Sequence, residues 1–188
     1  GGVAPAKILE DVASNADKFA EFAQDGGENI FKAAIGARQL GVNMATVTGA
    51  ADALLDFESS IQDQMEAQML TGKMINTDKA RELALSGDLA GMQEEIVSQI
   101  GSQAEFEKMN VVQRQAMAKA FGVSVQDLSK MVANQEKLNN MTDVQKQRQD
   151  RIASVLQFLN TLFVKVVESF KPMIPLALGI LSPFIALA

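Results

Sequence analysis

The side chains able to do chemistry in this sequence are almost all carboxylates and amides. His and Cys are both absent, which removes imidazole acid–base catalysis, thiolate nucleophiles, disulfides and the usual zinc ligands together. Trp and Tyr are missing too, so a stacking platform for a sugar or base would have to come from ten Phe residues. The nearest approach to a glycosidase or metal site is the pairing Glu94-Glu95 and Glu105/Glu107. A general acid needs an apolar pocket to raise its pKa, whereas these carboxylates sit among amides and small residues, the ordinary setting of solvated surface groups. Ten methionines could offer soft sulfur to copper; at helical spacing they read instead as gap-filling core or adaptable interface residues. No catalytic, cofactor-binding or metal-binding residue is assigned, and the chain is not expected to be an enzyme.

One segment has the outline of a nucleic-acid reader. In residues 114–132, Ala118, Gly122 and Leu128 stand where a helix-turn-helix wants its small residue, turn glycine and buried aliphatic, with Met117, Phe121, Val123 and Met131 at the other core positions. The second helix, however, begins Val125-Gln126-Asp127, an acid where phosphate or base contacts would fall, and Lys and Arg are sparse along it. A packed αα-hairpin explains the same residues, and sequence-specific nucleic-acid binding is not expected.

The elements that would position these groups are helical, since apolar residues recur at three- and four-residue spacing and sustained alternation is lacking. The expected fold is all-α: short helices and αα-hairpins leading into a longer amphipathic helix, then an apolar Pro-containing segment. Residues 1–50 form acidic, Gly-punctuated helices. The first runs from Pro5 with Ile8, Leu9, Val12, Ala16, Phe19, Ala20 and Ala23 on one face, and the second from Glu28 to about Leu40. Gly36, Gly41 and Gly49 leave residues 36–50 open between a loop and a small-residue helix seam. In the block 51–140, Ala53, Leu54, Phe57, Ile61, Met65 and Met69 make a narrow stripe opposite Asp56, Glu58, Gln62, Asp63 and Glu66 on one helix that Gly72 closes. Asn76 or Thr77 and then Asp88 cap two short helices, and Ser124 opens the second arm of the hairpin. Helices this short must lean on one another or on neighbouring chains.

Residues 141–171 carry a heptad pattern. Ile152, Leu159 and Val166 fall at one position, Val155 and Leu162 at the next, with Leu156, Phe163 and Phe170 flanking. A face this wide implies self-association as a coiled-coil-like bundle. Residues 172–188 are 17 residues without a charge and hold three of the four prolines. They would span about 25 Å as a helix, somewhat short of the ~30 Å hydrocarbon core. Leu176, Leu178, Ile180, Leu181, Phe184 and Ile185 are the candidate membrane-active residues, although a buried core segment explains them equally, because Pro175 and Pro183 would kink a lone spanning helix. The chain of 188 residues opens without an initiator Met and stops within this run, as a piece of a longer protein would. Its net charge of −6 conceals two unlike halves: residues 1–112 hold 8 Lys/Arg against 18 Asp/Glu, residues 113–188 hold 9 against 5.

Residues 56–132 resemble the tape measure proteins of tailed bacteriophages. The likeness rests on Phe-Glu-Ser-Ser at Phe57 to Ser60, Leu-Thr-Gly at 70–72, the unit from Asn76 to Gly87, and the segment Phe106 to Ala118, in that order and followed by a hydrophobic tract. It covers 77 of 188 residues. The resemblance implies the distal part of a long helical protein that occupies the tail tube lumen and sets tail length. It further implies docking on the tail hub or baseplate, contact with tail tube proteins, and release on infection to help DNA cross the host inner membrane. It implies a homo-oligomer of three copies, or six, in the virion tail, and no cofactor. Two other readings stay open: a membrane-inserting pore or toxin component built on residues 143–188, and a helix-turn-helix DNA-binding protein.

Overall fold

The computed structural model describes residues 5–24 and 27–141. Among these residues ten helices follow one another: α1 (Pro5–Ser14), α2 (Ala16–Phe22), α3 (Glu28–Gln39), α4 (Met44–Leu55), α5 (Phe57–Thr71), α6 (Asp78–Leu85), α7 (Leu89–Ile100), α8 (Gln103–Lys108), α9 (Val111–Ala120) and α10 (Val125–Asn139). Among the described residues there is no strand, in keeping with an all-α fold.

Local chemistry accounts for most of the starts and stops. Asn43 accepts the Thr46 amide at 2.9 Å and Asp88 accepts that of Gly91 at 2.9 Å, opening α4 and α7. Ser102 with Glu105 and Asn110 with Gln113 form reciprocal capping boxes at α8 and α9. At α10 the Ser124 hydroxyl oxygen accepts the Asp127 amide at 3.0 Å, but the Asp127 carboxylate turns to the Ser124 hydroxyl rather than to its backbone. Thr77 departs from the pattern: its hydroxyl donates to Gln64 at 2.6 Å instead of capping α6, while Asn76 accepts the Asp78 amide. The first amphipathic stretch is two helices rather than one. The Asn15 side-chain amide donates to the Asp11 carbonyl at 2.8 Å while its backbone N–H turns to Val12 at 3.2 Å, and the ladder breaks there. Ile8 is buried while Leu9 is exposed.

Helices α3, α4 and α7 form the centre, packed closely through alanines such as Ala33, Ala37 and Ala51 and filled by Met44, Leu54, Met92 and Ile96. Helix α1 lies on α3, where Arg38 grips the buried Asp11 carboxylate with two bonds of 2.5 Å. The α9–α10 hairpin closes the opposite side with Met117, Ala118, Phe121, Leu128 and Met131, all buried. Its turn requires glycine: Gly122 has φ +64°, and a Cβ there would stand 2.3 Å from the Ala53 side chain of α4.

Among the described residues one core joins buried side chains from Ile8 to Val132, so the boundary expected at 50/51 falls inside α4, and α6 to α8 bury their faces within the chain. The weak region 36–50 resolves into the end of α3, a turn at Leu40–Gly41 and the first half of α4. The heptad segment 141–171, apart from Met141, and the tract 172–188 lie outside the described residues. Among the described residues no helix is long and apolar enough to cross a membrane.

Candidate functional site

Helix α5 differs most from its sequence expectation. The one helix expected up to Gly72 is interrupted at Asp56, which joins α4 to α5 outside helical geometry at φ −76°, ψ 82°. The change of direction rotates the rest of the stripe outward. Leu54 is buried, whereas Phe57 is 51% exposed, Ile61 48%, Met65 56% and Met69 77%. These four are spaced by four residues and therefore form one ridge along α5. Leu70, in the last turn of α5, and Met74, beyond its end, are exposed as well. The Gln113 amide holds the start of α9 against the Leu70 carbonyl at 2.9 Å, and the exposed Val111 and Val112 stand there.

The face that α5 turns inward is small or polar. Ser60 and Ala67 are its buried residues. Toward α9 it meets Ala116 and Ala120, and Lys119 of α9 reaches Asp63 at 2.8 Å and Glu66 at 3.5 Å. Those carboxylates, Asp63 first, raise the pKa of Lys119. Toward α6 it meets a buried polar knot. Arg81, 4% exposed, donates through Nη2 to Gln64 Oε1 at 2.8 Å and through Nη1 to the Thr77 hydroxyl at 2.8 Å, with exposed Asp78 as counter-ion at 3.2 Å. A buried guanidinium is tolerated only where its donors are satisfied, so Gln64 and Thr77 lock α5 in this rotation. The inside of α5 is thus occupied by groups that cannot be exchanged for Met65 or Ile61.

A monomer seldom exposes a continuous apolar ridge of this kind without a partner for it. Burying the remaining half of four such side chains is worth on the order of 4 kcal/mol before the costs of association. Of the carboxylates on α5, Asp63 and Glu66 are engaged by Lys119 of α9, and Glu58 stands next to Phe57. Methionine at two of the four ridge positions lets the surface adapt to its partner.

The other candidate groups have local work. Glu105 completes the α8 cap and lies 3.3 Å from Lys73; the Ser102 amide and then Lys73 lower its pKa. Glu95 pairs with Lys79 at 3.5 Å and accepts from Gln99, and Glu107 accepts from Gln103. The hairpin of residues 114–132 has its expected interior, with Lys130 drawn back to Asp127 at 2.9 Å. The sequence-predicted seam Ile152, Val155, Leu156, Leu159, Leu162, Phe163, Val166 and Phe170 lies outside the described residues, as do Leu176, Leu178, Ile180, Leu181, Phe184 and Ile185. The α5 ridge was visible as periodicity, but nothing local marked it as outward. Comparison of the chain with models of protein families, with curated proteins and with solved structures returns no match in any of the three.

Proposed function

We propose that this chain is a structural interaction protein, the distal region of a phage tail tape measure, which docks through α5 on the tail hub or baseplate. The observation that carries this reading is the exposed ladder Phe57–Ile61–Met65–Met69, held outward by the polar seam behind it. It lies within the block whose sequence resembles that family, and Phe57 opens that block's first motif. The ladder asks for a partner with an apolar groove of complementary shape. Residues 152–170 serve self-association in three or six copies along the tube axis, and residues 172–188 act at the host membrane after release.

The test is co-purification of the full chain with tail hub proteins. Ile61→Asp with Met65→Asp puts two charges on the ridge and leaves the core untouched; hub capture is expected to fall at least tenfold, with the melting temperature unchanged within 2–3 °C. Undiminished capture by the double variant would remove α5 as the docking element.

A further inference from the structure

Where α8 turns into α9, apolar and cationic side chains meet on a molecule whose net charge is −6. Val111 and Val112 open α9 at 69% and 55% exposed, and Leu70, whose carbonyl accepts from the Gln113 side chain at 2.9 Å, is exposed too. Most cations among the described residues form ion pairs, as Lys119 does with Asp63, Lys73 with Glu105 and Arg38 with Asp11. Lys108, Arg114 and Lys137 have no carboxylate within ion-pair distance among the described residues, and Lys137 turns to Asn134. The first two flank the valines. The carboxylates nearest to them in the chain are committed elsewhere: Glu105 caps α8 and pairs with Lys73, and Glu107 accepts from Gln103 at 2.7 Å. Arg114 is also held in place. Its Nη2 donates to the Glu107 carbonyl at 2.7 Å and its guanidinium lies 5.4 Å from the centre of the Phe106 ring, so the fork is fixed against the last turn of α8, where Lys108 stands. Nε is enclosed without a partner, and Nη1 has no acceptor among the described residues. Val111 and Arg114, at i and i+3, share one face of α9.

We propose that this corner binds a peptide segment of a partner protein in which carboxylates stand beside apolar side chains. The apolar groups cover Val111 and Val112, and a carboxylate takes the open edge of the Arg114 fork with Lys108 next to it. A guanidinium already fixed by Phe106 and Glu107 loses little freedom when it is engaged, which favours a shaped carboxylate contact over diffuse attraction. An anionic bilayer is the weaker occupant, because the described residues are acidic overall and a charged surface repels the whole molecule, whereas a peptide presents its charge locally. The contact is additional to docking through α5 and does not rest on the tape measure reading, since Lys108, Val111, Val112 and Arg114 lie outside the ridge.

The chain holds no cysteine, so Gln115→Cys places a single thiol at an exposed position of α9 next to Arg114, and Ser86→Cys at the α6–α7 turn gives the control site. Each full-length variant carries an environment-sensitive dye and is titrated with an end-blocked peptide of Leu, Ala and Glu, then with its twin holding Lys in place of Glu. The Glu peptide is expected to change the emission at 115 saturably and leave that at 86 unaltered, while the Lys peptide changes neither. Lys108→Gln and Arg114→Lys should each weaken binding by about fivefold or more, the second because an ammonium keeps the charge but not the fork. Lys108 is exposed, so its loss does not act through the fold. Flat emission, equal binding of the two peptides, or indifference to both substitutions would overturn the proposal. A response to phosphatidylglycerol vesicles without one to the Glu peptide would assign the corner to a lipid surface, and a response to protein concentration alone would assign it to a second copy; either result overturns it.

Discussion

At the N-terminus of α10, Asp127 binds two partners at once, taking the Ser124 hydroxyl at 2.9 Å and the Lys130 ammonium at 2.9 Å. Partial burial pushes its pKa up, but Lys130 and the Ser124 hydroxyl together hold it below the ordinary value of 3.8. A carboxyl lowered by folding contributes stability above its unfolded pKa and loses it as pH falls through the folded value. The denaturation midpoint in urea should therefore drop as pH is taken from about 4 downward. Asp127→Asn should flatten part of that acid limb while also lowering stability at neutral pH. Urea titrations between about pH 2 and pH 6 on both proteins check the sign, and an acid limb unchanged by the substitution would count against this role.

Among the elements, α5 is the one whose orientation depends on distant residues. Gln64→Ala removes the acceptor shared by Thr77 and Arg81, leaving a buried guanidinium short of partners. A loss of about 1.5–3 kcal/mol is expected, read as a lower urea midpoint, and Gln64→Glu should recover most of it by accepting in the same place. That dependence explains what could and could not be read from residue order. The caps at Asp88 and Ser124, the stop at Gly72 and the hairpin interior around Ala118 and Leu128 were legible, because each is decided within a few residues. The outward turn of Phe57, Ile61, Met65 and Met69 was not. Four-residue apolar spacing is the same signal for a buried face and for a docking face. What separates them here is a hydrogen-bonded knot between residues 64, 77 and 81 and an alanine seam with α9 some fifty positions later. The break at Asn15 was hidden for a related reason, since a side-chain bond to Asp11 ends a helix whose apolar pattern continues.

Taken whole, the molecule joins a self-contained core at residues 5–141 to a heptad-patterned segment with its own apolar demand. If residues 152–170 form the proposed seam, Leu159→Asp should abolish self-association; sedimentation of an unchanged oligomer would reject the seam. The core also sorts its methionines sharply. Met44, Met92, Met117 and Met131 are at most 2% exposed, while Met65, Met69 and Met74 stand between 56% and 92% exposed. Peroxide should therefore convert the second group to sulfoxides long before it reaches the first, and peptide mass mapping at low dose would show this. The oxidised protein would keep its shape and melting behaviour yet present a wet, chiral surface where an apolar one had been. If α5 docks as proposed, exposure to oxidant would act as a chemical eraser of attachment, and methionine sulfoxide reductase would write it back.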